Sequence, residues 1–172
     1  MNQDAFADAI ESEELRAFFD HWNACRGSRR MPAWSDIRPQ AIKNVLPNVW
    51  AWKYDRKTDR FSGRLTGDEI HRVFGATNSG RPMEECFPER YYAVLFALFK
   101  RIVMGPEFLR ERGPVYAHLG NACFGERIAL PLADDGVACD GIIGATLFEI
   151  SRPIRPDETR LIGSTEEWFP LA

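Results

Sequence analysis

The sequence lacks the residue spacing of a metal site. It contains no CxxC pair, its four cysteines are far apart, and none of its three histidines stands at ligand spacing from them. We therefore expect no metal to be bound.

Long apolar runs and a leader sequence are also missing. No segment approaches the roughly 20 apolar residues that span a bilayer. The acidic start, MNQDAFADAIESEE, has no basic segment ahead of an apolar one, so we expect no signal peptide. These absences predict a soluble, cytoplasmic protein with reduced thiols and no insertion into a membrane.

Neither an excess of positive charge nor a common catalytic motif is present. Lysine and arginine total 22 against 25 acidic residues, which gives a formal charge of −3. A mildly acidic chain attracts phosphate backbones weakly, so no nucleic-acid partner is expected. The motifs GxSxG, HExxH, the P-loop and GxGxxG after a strand are absent, and we expect no catalytic residues.

The composition is that of a globular protein, with 45% apolar and 12% aromatic residues in 172 positions. This length fits a single domain. We divide the chain into a loose leader (residues 1–12), a main domain (13–152) and a C-terminal extension (153–172) that packs on the domain.

The N-terminal part of the main domain predicts an amphipathic helix. Ser12 is a candidate N-cap, and apolar residues follow at i, i+3, i+4 and i+7, namely Leu15, Phe18, Phe19 and Trp22. This apolar stripe has two interpretations. It forms the seam of a homodimer, or it covers the chain's own sheet.

The rest of the chain predicts helices and strands without a regular βαβ alternation, which argues against a parallel sheet. We expect short helices at 36–46 and 68–74, a β-hairpin formed by 48–55 and 60–66, an irregular segment at 76–87 and a long helix at 88–104. Three strands are expected after it, at 107–112, at 115–119 and on through 123–132, and at 141–150. The tail from Asp157 is predicted to dock as a short helix through Leu161, Ile162, Trp168 and Phe169. The fold class is therefore α+β, with a five-stranded antiparallel sheet, helices on one face and an extra N-terminal helix.

Two local patterns strengthen this assignment. The first is PAWSDIRP (32–39), followed by Ile42 and by Leu46-Pro47; the second is GRLTG (63–67), followed by Phe74-Gly75 and by GRP (80–82). Together they resemble a PAS-like family of alphaproteobacteria, often short stand-alone proteins, over about residues 13–150. The resemblance implies the strand order 2-1-5-4-3 and a role in sensing or signal transduction. It does not imply a ligand.

The sequence departs from the cofactor-binding branches of that family. The flavin-adduct branch carries an Asn-Cys-Arg-Phe run, which is absent, and Cys86 lies in ECFP instead. The haem branch has a histidine on the long helix, where residues 88–104 contain none. No cofactor is therefore expected, although an unknown small molecule remains an option.

A binding pocket would lie between the sheet and the helices. Its candidate lining is Trp52, Tyr54, Arg64, Thr66, His71, Tyr91, Tyr92, Leu95, Phe99, His118, Thr146 and Phe148. Arg64 is the most informative member, because a covered guanidinium needs an anion. That anion is a ligand carboxylate, or an internal acid such as Asp68 or Glu69. For His71 and His118, a structural role is the alternative to ligand contact.

These patterns lead to three hypotheses for function. The first is a sensor that binds a small organic ligand, a partner signalling protein, or both, with no output domain in the chain. The second is a protein-interaction module with a filled core, which would show no cavity above a few water volumes. The third is a small α+β cone-type enzyme with His118 or an acid as general base, which needs a titratable group in a cavity.

Overall fold

The structure is a computed structural model that describes residues 2–75, 77–118, 121–153 and 164–171. Its helices are α1 (Asn2–Ala9), α2 (Glu13–Arg26), α3 (Asp68–Phe74), α4 (Met83–Cys86) and α5 (Glu89–Met104), and three single 3₁₀ turns lie between α2 and the sheet at Trp34–Asp36, Pro39–Ile42 and Leu46–Asn48. The strands are β1 (Val49–Asp55), β2 (Arg60–Thr66), β3 (Glu107–His118), β4 (Asn121–Leu132), β5 (Gly141–Pro153) and β6 (Thr165–Pro170).

The strands form one sheet in the order β2-β1-β5-β4-β3-β6. Every neighbouring pair is antiparallel. The predicted α+β class and the order of the first five strands are confirmed. The sheet has one more strand than predicted, because β6 adds to the free edge of β3.

The C-terminal segment is a strand where a helix was predicted. Trp168 pairs with Leu109 and Phe169 pairs with Phe108, so the two adjacent rings lie on opposite faces of the sheet. A strand places both rings against apolar layers, whereas a helix would have turned one of them away. The other two predicted docking residues, Leu161 and Ile162, lie outside the described residues.

The N-terminal segment is part of the core, which corrects the prediction of a loose leader. Residues 2–9 form α1, and Phe6 and Ile10 have no exposed surface. The Phe6 ring stacks on Phe108 of β3 at 4.7 Å between centroids. A buried phenylalanine contributes roughly 1.5–3 kcal/mol, which explains why this short helix is held in place.

Helix α2 packs on the chain's own sheet through the whole of its predicted apolar stripe. Ser12 is the N-cap, with its Oγ accepting from the Leu15 amide at 3.2 Å. Leu15, Phe18, Phe19 and Trp22 are all buried, and the Trp22 indole donates to the Pro131 carbonyl at 2.9 Å. A homodimer seam formed by these four side chains is therefore wrong.

Helices cover both faces of the sheet. Phe108 lies against α1 and α2, while α5 packs on the opposite face, where β3, β4 and β5 contact it. We call the face toward α5 the inner face. The helix predicted at 36–46 is replaced by 3₁₀ turns, and the segment predicted to be irregular contains the single turn α4.

Candidate functional site

The interior between α5 and the inner face contains a small cavity. Its volume is about 30 Å³, so it has room for no more than a few water molecules. The lining is mostly aromatic and aliphatic, and consists of Trp50, Trp52, Ile70, Asn78, Phe87, Tyr91, Leu95, Phe99, Tyr116 and Arg127.

Two periodicities bring this lining together. Trp50 and Trp52 alternate with Ala51 on β1, so both indoles point to the inner face. Tyr91, Leu95 and Phe99 follow at four-residue steps on α5 and share one side of that helix. The Trp50 and Phe99 rings then stack at 5.3 Å between centroids, and this contact fills much of the space between the layers.

A polar network closes the side of the cavity formed by the sheet. Arg127 is buried on β4 and donates to the Glu111 carboxylate at 2.8 Å, the Val115 carbonyl at 2.6 Å and Thr146 Oγ1 at 3.1 Å. Glu111, Arg127 and Thr146 occupy matching positions on β3, β4 and β5. Each of the three guanidinium nitrogens therefore has an internal partner, and the positive charge is paired with Glu111.

Thr146 is the centre of this network. Its hydroxyl oxygen accepts from the Trp50 indole at 2.9 Å and lies 3.0 Å from the Tyr116 hydroxyl. Thr146 has no exposed surface, and its single hydroxyl is within hydrogen-bond distance of side chains from three other strands. Buried polar groups without such partners would cost about 1–3 kcal/mol each.

The pKa values of the network reflect burial and charge. Burial raises the pKa of Tyr116 and of Tyr91, which both stay neutral phenols at physiological pH. Burial by itself would lower the pKa of Arg127, but the negative charge of Glu111 outweighs it and the net shift is upward. The Arg127 guanidinium therefore stays charged across the accessible pH range.

Asn78 is held beside the cavity by contacts with β2. It is buried, and its backbone amide donates to Thr66 Oγ1 at 3.0 Å. Asn78 is also one of the residues that line the cavity. The segment that holds Asn78 is bridged to β2 through Gly63, where an added Cβ would collide with the Asn78 carbonyl.

The comparisons with known proteins identify the family. A family model described as a PAS domain matches residues 10–147, which is most of the chain. The chain belongs to the PAS domain family. No curated protein and no solved structure gives a significant match. Membership assigns the chain a generic sensory or regulatory role. Among the described residues, no helix is long and apolar enough to cross a membrane.

The predicted pocket of this PAS domain is brought together only in part. Trp52, Tyr91, Leu95 and Phe99 line the cavity, and Thr146 lies directly behind it. Three of the other predicted side chains pack around the site without lining it, namely Tyr54, Tyr92 and Phe148. The Thr66 hydroxyl accepts from the backbone amide of Asn78. His71 and Arg64 are exposed, and the His118 side chain lies outside the described residues.

Arg64 points away from the interior because it is the extra residue of a β-bulge. Ala51 pairs with Leu65 and Trp52 with Gly63, so Arg64 has no partner on β1. Its guanidinium lies over the Trp34 ring at 4.6 Å from the centroid. Among the described residues, neither Asp68 nor Glu69 forms an ion pair with it, and Glu69 pairs with Arg72 instead.

The buried arginine that the site requires is Arg127, which sequence reasoning missed, together with Tyr116, Phe87, Ile70 and Asn78. A signal for Arg127 was present. Arg127 directly precedes the apolar run from Ile128 to Leu132. Glu111 lies between Arg110 and Arg112 on another strand. Only the register that places position 111 opposite 127 joins the two.

The GRLTG motif has a structural explanation in this PAS domain. A Cβ on Gly67 would collide with the carbonyl oxygens of Leu46 and Pro47. Both residues belong to the turn that leads into β1. Glycine is therefore needed where β2 passes that turn, which links this motif to the Leu46-Pro47 pair.

Proposed function

We propose that this PAS domain is a regulatory module that acts by binding another protein, with an interior filled by its own side chains. The observation that supports this is the cavity of about 30 Å³, because small-molecule sites are commonly about 300–1,000 Å³. The stacked Trp50 and Phe99 rings occupy the space that a ligand would need.

The closed polar network supports the same proposal. A ligand carboxylate would have to displace Glu111 from Arg127, and the side chains of that ion pair are only 5% and 6% exposed. The released carboxylate would then be buried without its partner. Breaking a buried pair in this way costs about 3–5 kcal/mol, which few small ligands would recover.

A second candidate function is binding of a small, largely apolar molecule with one hydrogen-bonding group. Asn78 favours it, since this buried polar residue belongs to the otherwise largely apolar lining of the cavity. Entry would require displacement of Phe87, whose ring packs on Trp52 and Tyr91 at 5.9 and 5.8 Å between centroids. No cofactor is part of this proposal.

We propose that the domain is not an enzyme. Among the side chains that the structure describes, no carboxylate and no imidazole lines the cavity. A general base would need such a group beside the space where a substrate binds.

A cytoplasmic location is also proposed, because all four cysteines are free thiols, as is usual in a reducing compartment.

Native mass spectrometry of freshly purified protein separates the two candidates. The interaction module predicts only the apoprotein mass of 19.7 kDa. A retained small molecule would overturn the interaction module. Loss of that molecule in Asn78→Leu but not in Arg64→Leu would place it in the cavity.

Cross-linking in the source cells followed by mass spectrometry then tests for a stoichiometric protein partner. If no protein partner is found and a small molecule is retained, binding of a small molecule is supported instead.

A further inference from the structure

The two sequence motifs that carry the family resemblance meet at a groove on the surface of the molecule. The groove lies between the 3₁₀ turns that precede β1 and the end of β2, and its volume is about 460 Å³. The PAWSDIRP motif contributes Trp34, Ile37 and Pro39 to its lining. The GRLTG motif contributes Leu65 to the opposite wall. We call this surface the motif groove.

Gly67 brings the two walls of the motif groove together. A Cβ at this position would collide with the carbonyl oxygens of Leu46 and Pro47, and the Gly67 amide donates to the Val49 carbonyl at 2.7 Å. These contacts hold the end of β2 against the turn that leads into β1. The groove is therefore built into the fold at the point where the two motifs meet.

The lining of the motif groove keeps apolar side chains in contact with solvent. Trp34, Ile37 and Leu65 pack on the core from one side and are only partly buried, and Pro39 is exposed. An apolar patch with a polar rim is typical of a protein interaction site. An occupant that covered these side chains would remove them from water, which favours association.

The free charges beside the motif groove are mainly positive. Lys43 lines the groove, and the Arg64 guanidinium lies over the Trp34 ring at 4.6 Å from its centroid. Neither cation forms an ion pair or a side-chain hydrogen bond with the residues that the structure describes. The acid in the lining is Asp68, which lies in the first turn of α3, where the helix amides favour a negative charge.

We propose that the motif groove binds a short segment of a partner protein in which acidic residues flank apolar ones. This inference rests on the proposed function, because it names the surface and the partner chemistry that such a function requires. Apolar side chains of the segment cover Trp34, Ile37 and Leu65, and its carboxylates pair with Lys43 and Arg64. Seating of an amphipathic segment in an apolar groove is a common mode of peptide recognition.

Shape and charge favour this occupant over a small molecule or a nucleic acid. Small-molecule sites enclose roughly 70–90% of the surface of the ligand, whereas a surface groove leaves one side of its occupant in solvent. Nucleic-acid complexes commonly use about 6–10 phosphate contacts, and two free cations beside an apolar lining do not supply them.

Site-specific photo-cross-linking in the source cells tests the proposal. A benzophenone amino acid replaces Asn44, an exposed residue next to Lys43. The control position is Val137, which is 71% exposed between β4 and β5. We expect an adduct with another protein from position 44 and none from position 137. Peptide mass spectrometry should locate the cross-link in a segment with aspartate or glutamate beside apolar residues.

Charge reversal then measures the contribution of the two cations. With a synthetic peptide of the cross-linked segment, the double variant Lys43→Glu, Arg64→Glu should raise the dissociation constant about tenfold in fluorescence anisotropy. High salt should weaken binding to the unmodified protein, because these ion pairs are exposed. The matched control is Lys57→Glu, Arg90→Glu, which reverses two exposed cations outside the groove and should leave the constant unchanged.

Several results would overturn the proposal. They are equal adducts from the two positions, an adduct from position 137 alone, an adduct with a second copy of the chain, a cross-linked segment rich in lysine or arginine, and equal effects of the two double variants. If cross-linking of the whole surface captures a partner while position 44 captures none, the motif groove is excluded and the proposed function stands. If neither captures a protein, both are wrong.

Discussion

Replacing Arg127 by methionine is the most informative perturbation of the interior. The substitution keeps an unbranched, flexible side chain but shortens it and removes the charged guanidinium. Glu111 then keeps one described donor, the Ser164 hydroxyl at 2.7 Å from its other oxygen. Thr146 Oγ1 and the Val115 carbonyl lose one donor each.

The expected loss of stability is large because solvent cannot screen the buried charge that Glu111 would be left with. The two side chains of the pair are 6% and 5% exposed. Removal of one partner of a buried ion pair costs about 3–5 kcal/mol. For a chain of this size each kcal/mol lowers Tm by roughly 2–4 °C, so we expect a decrease of about 6–20 °C.

Urea unfolding followed by tryptophan fluorescence measures this change. The matched control is Arg64→Met, which removes an exposed guanidinium stacked on Trp34 and should cost no more than about 1 kcal/mol. The double variant Arg127→Met, Glu111→Leu should recover much of the loss, since it removes the uncompensated carboxylate. A loss below about 1 kcal/mol in Arg127→Met, the range of surface pairs, would refute the argument.

Three further predictions concern packing, thiol reactivity and pH. Gly144→Ala should lower the free energy of unfolding by about 1–3 kcal/mol, because its Cβ would overlap the Trp50 ring; urea unfolding measures it, and an unchanged midpoint would contradict the packing. Iodoacetamide should label Cys25 well before Cys139, since burial raises the pKa of Cys139 to about 12; peptide mass spectrometry that finds equal labelling would disagree. Burial, then the positive charge of Arg38, lowers the pKa of His21, so folding disfavours its proton. The stabilisation present above pH 6.5 should therefore be lost as the pH falls below that value, and His21→Gln should flatten the dependence of Tm on pH between 7 and 5.

Local periodicity was enough to predict most helices and strands. The four-residue repeat of α5 and the two-residue alternation of β1 each fix which side chains share a face, whatever lies opposite. For this reason Trp52, Tyr91, Leu95 and Phe99 were predicted together and are found together. The hairpin between β1 and β2 followed from the same alternation.

The errors occurred where a residue's neighbours come from distant parts of the chain. Phe6 lies in a short polar segment that predicts no stable helix by itself, and α1 forms because Phe108 and Phe169 provide a partner for that ring. The stripe around Trp22 fits a dimer seam and an internal face equally well in sequence. The structure distinguishes the two, because α2 packs on the face of the sheet opposite α5 and the Trp22 indole donates to the Pro131 carbonyl.

The sequence by itself determined the fold class and the apolar faces of α2, α5 and β1, because these depend on the periodic placement of side chains along each element. The strand order came from the resemblance to the family and not from periodicity. Only the tertiary structure decided that Arg127 is buried at the cavity and Arg64 is exposed. A single unpaired residue in β2 turns Arg64 outward, while the β3–β4 register places Glu111 opposite Arg127. Such register depends on the simultaneous packing of several strands, and no pattern within one strand encodes it.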